Sequence, residues 1–183
     1  AYANGRGKAM YALYQARLKA LNACDFGDLM LHMLNIFRRE RDILEQYQQR
    51  FKYVLVDEYQ DTNKAQYTLV RQLTDSHRNL CVVGDSDQSI YRWRGADVRN
   101  ILDFEKDYPD ARVIVLEQNY RSTSTILDAA NAVIANNPRR QPKRLWSDRG
   151  NGDNIIRFEA EDEHDEAGFV ADQVDQLIDG GFS

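Results

Sequence analysis

The chain has little of what several classes of protein require. Its 183 residues include two cysteines, Cys24 and Cys81, too few for a disulfide framework or a zinc-ligand set, which indicates a reducing, cytoplasmic setting. No run approaches the roughly 20 apolar residues of a membrane-spanning helix, so no membrane partner is expected. The formal net charge of −5 argues against binding nucleic acid through bulk positive charge, but it is compatible with a local basic groove.

A short apolar run, Tyr53–Val56, leads directly into two adjacent carboxylates, Asp57 and Glu58. Its length and its β-forming residues predict a strand buried on both faces. Such strands belong to parallel sheets, which bind ligands beyond the carboxyl ends of their strands. The pair is therefore a candidate metal and water-activation site, because one carboxylate can hold Mg²⁺ and the next can accept a proton from water.

Further apolar runs alternate with helical patterns. Leu80–Val83 and Val113–Leu116 each predict a buried strand, and Ile155–Phe158 predicts a short one. Cys81, inside the second run, is expected to be a small core residue. Asp25 is a plausible N-cap for the helix that follows it. The alternation predicts an α/β fold with a mainly parallel sheet and flanking helices.

The segment Tyr91-Arg92-Trp93-Arg94 interleaves aromatic side chains with arginines. That pattern suits single-stranded nucleic acid, since bases stack on rings while guanidinium groups meet phosphates. The residues alone are equally compatible with a core tryptophan flanked by solvent-exposed arginines.

Four blocks of sequence carry a resemblance to a known family. The three strong blocks are Val56-Asp-Glu-Tyr-Gln-Asp-Thr-Asn63, Val83-Gly-Asp-Ser-Asp-Gln-Ser-Ile-Tyr-Arg-Trp-Arg-Gly-Ala-Asp97 and Leu116-Glu-Gln-Asn-Tyr-Arg-Ser-Thr123, and the weaker one is Asp25-Phe-Gly-Asp-Leu29. From about residue 8 to the end, the sequence resembles superfamily 1 DNA helicases of the UvrD/Rep/PcrA type. Gly27 departs from that family, which usually has an acidic residue there.

The resemblance implies a role for each matching position at an ATP site. Asp57 would help to hold Mg²⁺, Glu58 would activate the hydrolytic water, and Gln88 would sense the γ-phosphate and couple it to the DNA side. Arg121 would offset charge as the phosphoryl group leaves. Tyr120 would stack on the adenine.

The resemblance also implies a DNA-binding surface. Trp93 and Tyr91 would stack on bases, with Phe26 as a third stacking residue and Arg94 beside them. The expected partners are ATP, single-stranded DNA and junctions of single- and double-stranded DNA, together with proteins of DNA repair or replication.

No phosphate-binding loop of the Walker A type occurs in the 183 residues. Gly5-Arg6-Gly7-Lys8 has the wrong spacing and no Ser or Thr after the lysine. The expectation is therefore an interior segment with a partial RecA-like (P-loop NTPase-type) fold and incomplete motor domains, which does not hydrolyse ATP by itself. Residues 1–24 would end an inserted helical subdomain, 25–117 would form the back half of the first motor domain, and 118–183 would begin the second.

Two alternatives remain open. One is a non-catalytic module that binds single-stranded DNA or a protein. The other is a Mg²⁺-dependent phosphoacceptor domain, which would need a lysine at a later strand end, where the sequence has Glu117-Gln118-Asn119 instead.

Overall fold

The computed structural model describes residues 6–138 and 140–182. Helices flank a small parallel sheet, which confirms the predicted α/β class. The strands are β1 (Val54–Val56) and β2 (Leu80–Val82). The helices are α1 (Arg6–Ala20), α2 (Phe26–Arg39), α3 (Arg41–Arg50), α4 (Lys64–Thr74), α5 (Arg99–Leu102), α6 (Phe104–Asp107), α7 (Ser124–Ile134) and α8 (Glu163–Asp179).

The sheet pairs β1 with β2 in parallel, and Leu55 lies opposite Cys81 in the register. Leu55 is 77% exposed and Cys81 is also exposed. The predictions that β1 is buried on both faces and that Cys81 is a core residue are therefore wrong. Side chains alternate between the two faces of a strand. Val54 and Val56 are half-buried on one face, whereas the described residues leave the other face open to solvent.

Two of the predicted strands are absent from the described residues. Val113–Leu116 and Ile155–Phe158 are irregular segments, and Ile114 and Ile156 are 66% and 71% exposed. Both runs have β-forming composition, but a strand also needs a neighbouring backbone to pair with. Only β1 and β2 supply such a pairing as strands among the residues that the structure describes. The predicted series of alternating strands and helices therefore contains one parallel pair of strands among the described residues.

The core near the sheet is built around a few large side chains. Tyr59 is fully buried and meets the ring of Phe104 edge-on, with 5.8 Å between ring centroids. Phe37 of α2 and Leu44 of α3 are 1% and 4% exposed. Tyr59 directly follows Glu58, so its burial anchors the turn after β1, which carries the paired carboxylates.

Reciprocal side-chain caps fix the beginnings of α2 and α4. Asp25 Oδ1 accepts the backbone N–H of Asp28 at 2.8 Å, and the Asp28 carboxylate accepts the Asp25 N–H at 3.1 Å. The predicted N-cap at Asp25 is thereby confirmed. Asn63 and Gln66 form the same reciprocal arrangement at the start of α4, and each such cap satisfies backbone donors that the helix leaves unpaired.

The chain divides into two compact units. The first extends to Ile114 and also includes residues 140 and 141, and the second comprises Val115–Pro138 and continues from Pro142. The predicted domain boundaries stay predictions, and residues 1–5 of the expected helical subdomain lie outside the described part. Arg139 and Ser183 lie outside it as well. Within the described ranges, no helix has both the length and the apolar character needed to cross a membrane.

Candidate functional site

The paired carboxylates lie just beyond the carboxyl end of β1. Asp57 Oδ1 accepts the backbone N–H of Glu58 at 2.9 Å. Glu58 has φ +50° and ψ 43°, in the left-handed region. A non-glycine residue in that region costs roughly 1–2 kcal/mol, so the surrounding contacts must hold it there. Both carboxylates are exposed, which leaves them open to a ligand.

Gln60 joins the ends of the two strands. Its side chain is 1% exposed. Its Nε2 donates to Glu58 Oε2 at 2.7 Å, and its Oε1 accepts the backbone N–H of Asp85 at 3.0 Å. Asp85 Oδ2 in turn accepts from Gln88 Nε2 at 2.9 Å. We refer to Glu58, Gln60, Asp85 and Gln88 as the strand-end network, because it links the carboxyl ends of β1 and β2.

The strand-end network brings two predicted residues together, Glu58 and Gln88, through Gln60, which sequence reasoning did not select. A single glutamine among polar residues gives no signal of burial. Asp85 follows the second apolar run, but its sequence position alone does not indicate a partner. The contact between Gln60 and Asp85 spans 25 positions, and no local pattern reveals a contact of that range.

Gly84, two residues after the end of β2, lies close to the segment that follows β1. A Cβ atom there would lie 2.5 Å from Gln60 Oε1 and 3.0 Å from the backbone nitrogen of Tyr59. The Tyr59 N–H also donates to the carbonyl of Val83 at 3.0 Å. Glycine is therefore required for the close approach of these two backbones.

The residues present fit a magnesium ion held by few protein ligands. No group of three or more metal-ligating side chains occurs in the described ranges. Mg²⁺ usually keeps several waters and binds one or two carboxylates together with substrate phosphates. Asp57, exposed at a strand end, suits that mode of binding.

Most of the predicted DNA-binding residues lie together in the loop that follows β2, residues 84–97, which we call the β2 loop. Trp93 is 75% exposed and Tyr91 is 38% exposed. Arg94 lies over both rings, with its Cζ 4.6 Å from the centroid of Trp93 and 5.3 Å from that of Tyr91. We call these three residues the arginine–aromatic cluster. Their exposure rules out the alternative of a core tryptophan. Phe26, the first residue of α2, is 93% exposed.

The loop that carries the cluster is fixed at both ends to the segment that follows Glu58. Asp85 meets Gln60 at the first end. At the second, the Asp97 N–H donates to the Thr62 carbonyl at 3.1 Å, and Asn100 Nδ2 donates to the same carbonyl at 2.9 Å. A hydrogen bond from Arg99 lowers the pKa of the Asp97 carboxyl.

Tyr120 and Arg121 belong to the second compact unit. Asn119 Oδ1 accepts the backbone N–H groups of Arg121 and Ser122 at 2.9 and 2.7 Å, which shapes the turn. Arg149 Nη1 donates to the carbonyl of Arg121 at 3.0 Å. The Arg121 side chain is exposed, and the Tyr120 ring is 73% exposed. Asn119 and Arg149 were not selected from the sequence, because their part is to hold the backbone.

Two family models cover most of the sequence. Residues 3–109 match the UvrD/REP helicase N-terminal domain, and residues 114–182 match the UvrD-like helicase C-terminal domain. The chain belongs to the UvrD/REP helicase family, which confirms the resemblance carried by the three blocks.

The sequence is also similar to proteins named ATP-dependent DNA helicase PcrA. The Staphylococcus aureus protein is 59% identical over 165 residues, which is 90% of this chain and 23% of the relative. The Bacillus subtilis protein is 55% identical over 172 residues, 94% of this chain and 23% of the relative. The chain therefore spans about a quarter of the length of these relatives.

Proposed function

We propose that the chain is a segment of an ATP-dependent 3′-to-5′ DNA helicase, which couples ATP hydrolysis to movement on single-stranded DNA and to unwinding of the duplex. One observation carries the proposal: the strand-end network runs from Glu58 to Gln88, in the loop that presents the arginine–aromatic cluster. A change at the nucleotide therefore has a short hydrogen-bonded route to a surface suited to DNA bases.

In this proposal Glu58 accepts a proton from the water that attacks the γ-phosphate. Asp57 holds Mg²⁺, which neutralises charge on the phosphates when it is bound. Gln88 senses the γ-phosphate. Arg121 offsets charge as the phosphoryl group leaves, and Tyr120 stacks on the adenine. Membership of the family and the exposure of these side chains support the roles.

On the DNA side, Trp93 and Tyr91 stack on bases, Phe26 provides a third stacking surface, and Arg94 pairs with a phosphate. The ligands are ATP and single-stranded DNA, including its junctions with the duplex. The setting is the cytoplasm, and the partners are proteins of DNA repair or replication. The PcrA relatives, which are named as ATP-dependent DNA helicases, support the choice of ligands.

The domain assignment remains part of the proposal. Residues 1–24 end an inserted helical subdomain, 25–117 form the back half of the first RecA-like motor domain, and 118–183 begin the second. The 183 residues contain no Walker A loop, so we propose that they do not turn over ATP by themselves. A matching upstream Walker A block in the parent reading frame would support the helicase.

The direct test uses the complete helicase on duplexes with a single-stranded tail at either the 3′ or the 5′ end. We expect ATP-dependent unwinding of the 3′-tailed duplex and little unwinding of the 5′-tailed one. The isolated 183-residue chain is the comparison. DNA-stimulated ATP turnover by that chain, abolished by Glu58→Gln, would contradict its proposed inactivity.

A non-catalytic module that binds single-stranded DNA is the second candidate. The exposed arginine–aromatic cluster in a chain without a Walker A loop favours it. A natural start of the reading frame near Ala1, with tight DNA binding and no unwinding, would support this alternative.

A further inference from the structure

Gln60 is a buried polar side chain to which the mechanism above assigns no part. It is 1% exposed and is among the largest fully buried side chains of the described residues. Its amide is used at both ends, with the nitrogen on the Glu58 carboxylate at 2.7 Å and the oxygen on the Asp85 backbone N–H at 3.0 Å. A buried amide that is satisfied in this way is held in one orientation.

Glu58, in contrast, is exposed and lies on a left-handed backbone. An exposed glutamate has several rotamers, and only some of them would direct its carboxylate toward an attacking water. The hydrogen bond from Gln60 selects among those rotamers. Because this hydrogen bond has a charged acceptor, it is stronger than a bond between neutral groups.

The oxygen end of the Gln60 amide is held by the β2 loop. The Asp85 N–H holds the Gln60 oxygen, and the Asp85 carboxylate holds Gln88 Nε2 at 2.9 Å. The amide therefore relates the Glu58 carboxylate to the loop that carries Gln88. A glutamine side chain offers both a donor for the carboxylate and an acceptor for the N–H. An ionised glutamate of the same length lacks the donor, and leucine lacks both groups.

We propose that Gln60 is a positioning residue, which holds the Glu58 carboxylate in its working orientation and ties it to the β2 loop that carries Gln88. The inference rests on the proposed function, because it assumes that Glu58 activates water. It predicts that changes at Gln60 lower the rate of ATP hydrolysis and leave the affinity for ATP nearly unchanged.

The first test is Gln60→Glu in the complete helicase, with kcat and KM for ATP measured at saturating single-stranded DNA. The new carboxyl group would face the carboxylates of Glu58 and Asp61, whose Oδ2 lies 3.5 Å from Gln60 Nε2. The charges would repel, and kcat should fall by about 10- to 100-fold, the usual effect of losing a supporting partner, while KM for ATP stays near its wild-type value.

A purely structural role would lower the melting temperature without a selective loss of kcat. The control is Gln48→Leu, which removes a part-buried hydrogen bond of 2.7 Å to the Gln72 carbonyl, away from the strand-end network. We expect it to lower the melting temperature and to leave kcat and KM for ATP at wild-type values. A Gln60→Glu variant with wild-type kcat, or one whose KM for ATP rises as much as its kcat falls, would overturn the proposal.

A second variant keeps the test decisive if Gln60→Glu does not fold. Gln60→Leu should lower kcat, and it should add little to the loss caused by Glu58→Gln, because both changes disable the same unit. Independent, multiplying losses would overturn the inference. Full turnover by Glu58→Gln alone would instead overturn the proposed function, so the two failures are distinguishable.

Discussion

The arginine–aromatic cluster allows a quantitative prediction for Trp93→Ala. Trp93 is 75% exposed, so its removal takes little from the folded core. Arg94 lies over one face of the ring at 4.6 Å, which leaves the other face for a single base. Stacking of one base contributes about 1–3 kcal/mol, and a tenfold change in Kd corresponds to about 1.4 kcal/mol. The Kd for single-stranded DNA should therefore rise by about 5- to 150-fold.

The assay is the fluorescence anisotropy of a labelled single-stranded oligonucleotide titrated with the complete helicase at several fixed salt concentrations. Trp93 carries no charge, so the dependence of Kd on salt should keep its slope, whereas Arg94→Ala should make the slope shallower. Tyr11→Ala removes an exposed aromatic side chain of α1 and should leave Kd unchanged. The affinity for ATP should also be unchanged. If Trp93→Ala binds DNA as tightly as the wild type at matched salt, the stacking role is wrong.

Three further perturbations test other parts of the account. Gly84→Ala should lower the melting temperature, since its Cβ would lie 2.5 Å from Gln60 Oε1 and overpacking costs about 1–3 kcal/mol. The control is Gly168→Ala, because Gly168 has open space around it. An equal melting temperature for the two variants would refute the packing argument. Asn63→Ala should speed hydrogen exchange in the first turn of α4 by removing a cap worth about 0.5–2 kcal/mol, and unchanged exchange there would count against it. Arg121→Ala should lower kcat for ATP by about 10³-fold or more if the side chain acts on the phosphoryl group, and near-normal turnover would exclude that role.

The features that the sequence predicted correctly are those set by short-range chemistry. β1 and β2 follow from apolar runs that end in Asp57 and Asp85, and the cap at Asp25 follows from a side chain that can bond a nearby backbone N–H. Tyr91, Trp93 and Arg94 are close in sequence, so a single loop brings them together.

The features that it missed depend on distant partners. Val113–Leu116 has the composition of a strand but no strand partner in the described ranges, and Leu55 and Cys81 share a face that the described residues leave open. Gln60 gives no local signal, because its importance comes from a contact with Asp85, 25 positions away. The composition of a segment indicates its preference for a strand, whereas the segments that pack against it decide whether the strand forms and is buried.

The most direct test of the central claim is Glu58→Gln in the complete helicase. A glutamine can still present its oxygen to Gln60 Nε2, so the strand-end network and the fold should be kept. The variant loses only the carboxylate that accepts the proton, a contribution of about 10²- to 10⁴-fold in general-base catalysis. We predict that DNA-stimulated ATP turnover falls by at least about 10²-fold while ATP binding and melting temperature stay at wild-type values. Turnover close to that of the wild type would contradict the account.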